Sequence, residues 1–136
     1  MANTTRLEIV TPEAVIFSED VDGVTLPSIQ GQIGLLPNHV RLMTQLVPGE
    51  MIVHKGNKAE FMAVGEGLVD VTSSSVSIVT NMAIAVEQID EAKVEEARQR
   101  AAARLQEKIS SEEVASVNAS LARSLAQLKV KRRHRS

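Results

Sequence analysis

The chain contains no cysteine, no tryptophan and no tyrosine. Without thiols there is no disulfide, no thiolate metal site and no cysteine nucleophile, a composition compatible with a reducing compartment. The aromatics are Phe17 and Phe61 alone. The interior must therefore be built from Val, Ile, Leu, Met and Ala, and the stacking platforms that hold single-stranded nucleic acid are missing. No run reaches the roughly 18 apolar residues of a membrane helix. The opening MANTTRLEIV has no apolar run behind a basic start and enters a strand pattern at once, so neither a signal nor a transit peptide is expected.

Catalytic constellations are missing as well. There is no G-x-S-x-G elbow for a nucleophilic serine. The histidines, His39, His54 and His134, are scattered and form no His-x-x-x-His pair for a metal. Gly31-Gln32-Ile33-Gly34 and Gly65-Glu66-Gly67 lack the lysine and the strand-to-helix setting of a phosphate loop. Their ordinary reading is turns that need positive φ. Glu95/Glu96 and Glu112/Glu113 fall on helical patterns as solvated faces. Neither an enzyme nor a resident cofactor is expected.

What is present divides into two halves. At 136 residues, 43% hydrophobic and 24% charged, the chain suits one domain with an appendage. Residues 1–87 read as strands. RLEIVT, AVIF, VDGVTL, EMIVHK, AEFMAVG, GLVDVT and SVSIVT are short runs rich in Val, Ile and Thr, most of them separated by Gly, Pro, Asn or Ser clusters. Lys55-Gly56-Asn57-Lys58 predicts a tight hairpin and Thr72-Ser73-Ser74-Ser75 a looser one. Many short strands in this length imply an antiparallel β-sandwich or flattened barrel.

In residues 88–136 the period changes. Val94, Ala97, Ala101 and Leu105 recur at helical spacing, with Asp90 in the N-cap position. Ser110 and Glu113 match a capping box that opens a second helix. Its apolar stripe reads Val114, Val117, Leu121, Leu125, Leu128. A short break between the helices favours an antiparallel hairpin. The fold class is thus α+β: a sandwich followed by an α-helical hairpin. The hairpin has few large apolar residues, each worth at most about 1.5–3 kcal/mol when fully buried. It is expected to be stable only when docked, on its own sandwich or on a partner, and an element with two docking surfaces can act as a switch.

Net charge is −2, unevenly placed: Lys129, Lys131, Arg132, Arg133 and Arg135 put +5 into the last eight residues. Two readings stay open. One is a solvated helix end, where cations suit the dipole; the other is a docking tail for an acidic surface. Nucleic-acid binding would rest on this tail alone and is not expected.

Residues 31–46, GQIGLLPNHVRLMTQL, are mostly apolar yet broken by glycine, proline and asparagine, with no clean helical or strand period. His39 follows Pro37 and Asn38 and reads either as a histidine that orders the loop or as an interface contact.

These residues carry a resemblance. Gly31-Gln32-Ile33-Gly34-Leu35-Leu36-Pro37-Asn38-His39, then Leu42-Met43-Thr44 and Pro48-Gly49, resemble the G-x-hydrophobic-G-hydrophobic-x-P-x-H…L-x-T…P-G pattern of the epsilon subunits of bacterial and chloroplast F-type ATP synthases. Ile89-Asp90-Glu91-Ala92 and Leu125-Ala126-Gln127-Leu128-Lys129-Val130 are similar to that family too.

The resemblance implies a non-catalytic, proton-translocating-synthase rotor subunit of the central stalk. It lies peripherally at the cytoplasmic face of the bacterial membrane, or at the stromal face of a thylakoid, and is a monomer when isolated. Its implied partners are the gamma subunit, the c-ring subunits and the catalytic alpha and beta subunits. Gln32, Leu35, Leu36, Pro37, His39, Arg41, Leu42 and Met43 then form the gamma and c-ring contact. Arg41 stands where proline is usual, Asn38 where glycine is common, and Gln32 where an acid often faces the ring. The extended hairpin would block ATP hydrolysis, its basic end, Lys129, Lys131, Arg132, Arg133 and Arg135, meeting an acidic segment of beta.

Some members bind ATP through Ile-Asp-x-x-Arg-Ala and a later arginine. Ile89, Asp90 and Arg100 fit, but Lys93 replaces the motif arginine and Val94 its alanine. Lysine cannot reproduce arginine's planar fork, so any implied ATP site at Asp90, Lys93 and Arg100 is weak. The alternative function is a free-standing sandwich that binds a ligand, with a coiled-coil tail that self-associates through Leu121, Leu125 and Leu128.

Overall fold

The computed structural model describes residues 3–134; Arg135 of the basic tail lies outside the described residues. Ten strands come first: β1 Thr5–Val10, β2 Val15–Val21, β3 Gly23–Ser28, β4 Gly31–Leu35, β5 Leu42–Leu46, β6 Gly49–Lys55, β7 Lys58–Val64, β8 Gly67–Val71, β9 Ser75–Thr80 and β10 Ala83–Ala85. A 3-10 turn over Val86–Gln88 leads into α1, Glu91–Arg104, and α2, Ser111–Arg133.

The strands pair in the order β10-β7-β6-β3-β5-β8-β9-β1-β2, with β4 on β3. Pairing is antiparallel except between β1 and β9, which run parallel. β3 acts as the corner. Gly23–Thr25 pair with β6, while Ser28 alone pairs with Leu46 of β5. The sheet folds back there and closes on a core that includes Leu7, Ile9, Leu26, Leu35, Leu46, Met51, Val53, Val69 and Ile78. Burial alternates along β1 and β9, as a half-buried strand requires.

The Lys55–Lys58 hairpin forms as expected. Only Gly56 has positive φ (62°), the II′ geometry that matches strand twist. In the β8–β9 turn, the Thr72 hydroxyl accepts the amides of Ser74 and Ser75. Elsewhere the glycines differ from expectation. Of Gly31, Gly34, Gly65 and Gly67, only Gly31 has positive φ (107°). Gly65 and Gly67 are required by close approach instead: a Cβ on Gly67 would strike the Val79 carbonyl, and one on Gly65 the Asn81 side chain.

The broken stretch 31–46 is two strands and a loop. β4 escaped the period because Gly31, Gln32 and Gly34 are exposed and two of them carry no side chain. β5 alternates half-buried and exposed residues. The loop between them turns at Asn38, the one non-glycine residue at positive φ (64°) among the described residues; asparagine tolerates that region better than most.

Both helix caps hold. Asp90 accepts the Lys93 amide at 3.2 Å, and Ser110 accepts the Glu113 amide at 3.2 Å. Arg104 closes the connection onto Glu113 at 2.6 Å. The apolar stripe of α2 differs in one member. Leu125 is 48% exposed, whereas Ser124, Ala126, Leu128 and Val130 are buried. The reason is that the last turns of α2 touch two surfaces, α1 and the outer face of β6 and β7. Leu128 and Val130 pack with Ala63, Val86, Ile89 and Val94, flanked by Phe61, Met82 and Ile84. β7 is consequently buried on both faces: Met62 and Val64 enter the sandwich core, Ala63 the helix contact.

Leu128→Ala should weaken hairpin docking by about 2–5 kcal/mol through lost burial and a cavity. Leu125→Ala should change it by less than about 0.5 kcal/mol. Amide exchange checks this: helix amides should lose protection in the first variant only, with β1 and β9 unaffected.

Candidate functional site

Two candidate surfaces stand out among the described residues. Among the described residues no three His, Cys, Asp or Glu groups cluster to hold a metal, and no helix is long and apolar enough to cross a membrane.

The first surface surrounds the loop between β4 and β5. Leu36 and Val40 are 67% and 77% exposed, and Gln32 and Arg41 are also exposed. Pro37 and His39 are half-buried. The loop is tied down by the Asn38 amide, which donates to the Ser73 carbonyl at 2.9 Å. His39 Nδ1 lies 2.7 Å from the Val40 carbonyl oxygen, so it orders the loop as a donor through that nitrogen. Two predicted contact residues are placed otherwise. Leu35 is 1% exposed and belongs to the core, because alternation in β4 turns it inward. Leu42 is half-buried and packs against the same core.

Met43, by contrast, points out, and it is not alone. In register, Gln45 faces Leu68, Leu68 faces Val79, and Val79 faces Val10. Met43, Leu68, Val79, Val15 and Ile29 are all exposed. The outer face of β5, β8 and β9 is thus an apolar band left bare, while the outer face of β6 and β7 lies under the hairpin. Sequence reasoning missed Ile29, Leu68 and Val79. The signal was available in GLVDVT and SVSIVT, where the outward positions 68 and 79 are Leu and Val on a face that a lone domain would keep polar.

The second surface is the basic end of α2, where Lys131, Arg132, Arg133 and His134 are engaged. Arg133 Nη1 lies 3.2 Å from one Glu50 oxygen and His134 Nε2 2.5 Å from the other. The His134 ring stacks on Phe61 with centroids 3.9 Å apart. Arg132 pairs with Glu91 at 2.9 Å and Glu95 at 3.6 Å. Lys131 donates to the Val86 carbonyl at 3.1 Å. Lys129 is exposed beside a cleft lined by Pro27, Gln32, Pro48, Glu50 and Arg133. The Glu50 side chain is only 11% exposed, so this contact is less screened than an ordinary surface pair.

Along α1, Arg98 beside Glu95 holds that carboxyl below its ordinary value, with a smaller contribution from Arg132. Arg104, then the Ser110 cap, does the same for Glu113. Asp90 is occupied as the cap of α1. Lys93 and Arg100 are exposed, two turns apart on that helix.

The chain matches two family models end to end. ATP synthase, Delta/Epsilon chain, beta-sandwich domain, covers residues 4–86. ATP synthase, Delta/Epsilon chain, long alpha-helix domain, covers residues 87–132. The chain belongs to the delta/epsilon chain family of the ATP synthase. This family's members are stalk subunits and not the catalytic ones. Relatives named ATP synthase epsilon chain include those of Herpetosiphon aurantiacus, 36% identical over 96% of each chain, and Chloroflexus aggregans, 39% identical over 96% of this chain and 94% of the relative. The Desulforamulus reducens protein is 42% identical over 79% of this chain and 82% of its own length.

The fold matches a chain in the Euglena gracilis mitochondrial ATP synthase OSCP/F1/c-ring structure, with TM-score 0.72, 24% identity and coverage of 90% of this chain and 78% of that one. A chain of the Tetrahymena thermophila mitochondrial ATP synthase central stalk and c-ring matches with TM-score 0.64 at 13% identity, over 93% of this chain and 96% of that one.

Acidification supplies a test of the hairpin. Glu95 and Glu113 have depressed folded-state values. The stability they contribute is therefore present above the ordinary glutamate value of 4.5 and lost as pH falls through the depressed ones. Hairpin amide protection should decline there, and Glu113→Gln should remove part of that decline.

Proposed function

We propose that this protein is a central-stalk rotor subunit of the proton-translocating F-type ATP synthase. Its sandwich joins the gamma subunit to the c ring, and its hairpin restrains ATP hydrolysis. Membership of the family supports the subunit assignment. The observation that carries the division of labour is that the hairpin covers one outer face of the sandwich and leaves the other bare. The bare band of Met43, Leu68 and Val79 suits an apolar gamma surface. The exposed loop of Leu36, Val40 and Arg41, with Gln32 beside it, suits the polar loops and lipid-facing rim of the ring. The site is on the cytoplasmic side of a bacterial membrane, held there by the complex.

The hairpin's mode of attachment supports its restraint on hydrolysis. Its apolar contact is small and its basic end pairs with Glu50, Glu91 and Glu95. The same Lys129, Lys131, Arg132, Arg133 and Arg135 fit an acidic segment of a beta subunit, but not both at once. Docked, Arg132 and Arg133 are paired with carboxylates of their own chain; released, they are free to engage the catalytic subunits. ATP at Asp90, Lys93 and Arg100 would be a weak regulator, since Asp90 already serves as a cap. The coiled-coil alternative has less support, because Leu128 is buried against the sandwich and is not presented to a second copy.

The test is ATP hydrolysis by a matching catalytic core that lacks this subunit. Added full-length chain should inhibit, and a chain ending at residue 88 should bind without inhibiting. Glu50→Gln should deepen inhibition about two- to fivefold at equal concentration, the range a partly exposed ion pair supports. Neutralising Arg132, Arg133 and Arg135 together should relieve it, most visibly at low salt. Equal hydrolysis with every version would reject the inhibitory role.

A further inference from the structure

The bare outer band carries one acid, Asp70, with a carboxylate oxygen that has no hydrogen-bond partner among the described residues. Val69 and Val71 of β8 point into the core, so Leu68 and Asp70 share the outer face. Asp70 stands opposite Met43 on β5 and Ser77 on β9. Its Oδ1 is closed off from solvent and accepts no hydrogen bond. Among the described residues no cation forms an ion pair with it. A carboxylate oxygen withdrawn from water without a donor costs free energy, and folded chains keep few such atoms.

The surroundings say what would complete it. The row Met43–Asp70–Ser77–Glu8 crosses four strands in register with two carboxylates and no cation. The neighbouring row, Leu68–Val79–Val10, is apolar. An apolar partner laid over this face would bury Asp70 further and raise its cost unless it brought a counter-charge. A partner that supplies one is favoured, and a partner that lacks one is rejected by the same acid.

We propose that Asp70 is the specificity anchor of this face. The covering partner is apolar but presents one basic side chain, a lysine or arginine, that meets the half-buried Asp70 carboxylate between Met43 and Leu68. This rests on the reading above, in which the gamma subunit covers the bare face. Within it, Met43, Leu68 and Val79 supply contact area and Asp70 supplies choice of partner and register.

The experiment is calorimetric titration of the full-length chain with the gamma subunit of its own synthase, at low and moderate salt, beside thermal melts of the free chain. Asp70→Asn should weaken binding about ten- to a hundredfold and flatten its salt dependence. The free chain should melt no lower than wild type, because no internal partner is lost. Binding unchanged in Asp70→Asn and in Asp70→Leu, with Leu68→Arg abolishing it, would overturn the anchor and leave gamma on this face. Undiminished binding of Leu68→Arg would overturn the reading itself, and the anchor with it. A lowered melting temperature in Asp70→Asn that matched its loss of affinity would make Asp70 structural and overturn the proposal.

Discussion

Everything that distinguishes one side of this molecule from the other depends on how the last turns of α2 lie over β6 and β7. Leu128 and Val130 cover Ala63 and sit beside Phe61. That contact makes β7 a strand buried on both faces, a position that a single-layer edge does not provide. It also fixes where the basic helix end arrives, over Glu50, and therefore which carboxylate it meets. Remove the contact and the outer face of β6 and β7 becomes exposed apolar surface, while Arg133 and His134 lose Glu50. The arrangement holds together through a small apolar seam and a ring of ion pairs, and neither is large. Each fully buried aliphatic side chain contributes about 1.5–3 kcal/mol, while exposed ion pairs contribute about 0–1 kcal/mol. A docking free energy built from such parts is a few kcal/mol, the scale on which a competing partner can displace it.

The sandwich is built differently. Its core draws on nine of the ten strands, and its register is set by a II′ turn at Gly56, a hydroxyl-capped turn at Thr72 and a glycine at position 67 that nothing larger can replace. It does not need the hairpin for its interior. The chain thus joins a self-sufficient platform to an appendage whose stability is conditional, and the two outer faces inherit that difference. One has a removable cover from the same chain. The other has none, and carries apolar side chains where water would otherwise require polar ones.

Much of this was legible in the sequence, and the exceptions have physical causes. Asp90 and Ser110 announced both helices, because a cap is a local bond between a side chain and an amide three residues on. Lys55-Gly56-Asn57-Lys58 announced its hairpin for the same reason. β4 was hidden because two of its exposed positions are glycines, and β10 because three residues cannot show a period. Leu125 fits the helical spacing but lies between the two surfaces that α2 touches, and spacing alone cannot count surfaces. Of the candidate contact residues, Gln32, Leu36, Arg41 and Met43 are exposed, whereas Leu35 turned inward by strand alternation. The partner of the basic tail was illegible: Glu50 is remote in sequence and becomes its neighbour only when the sheet folds over the β3 corner.

Asp70 shows the limit of reading outward residues as solvated by default. In GLVDVT an acid at the outward position satisfies the ordinary alternation, and nothing marks it as unusual. Only the register, which sets it against Met43 and beside Leu68 and closes Oδ1 from water, turns it into an uncompensated charge. A lone sandwich gains nothing from that arrangement. An apolar partner laid over that face would have to bring a counter-charge to Asp70 or bear the cost of burying it unpaired. At the hairpin the balance is opposite: Arg132 and Arg133 already have carboxylate partners in the chain. One face thus carries an acid without a donor, and the other carries cations already paired.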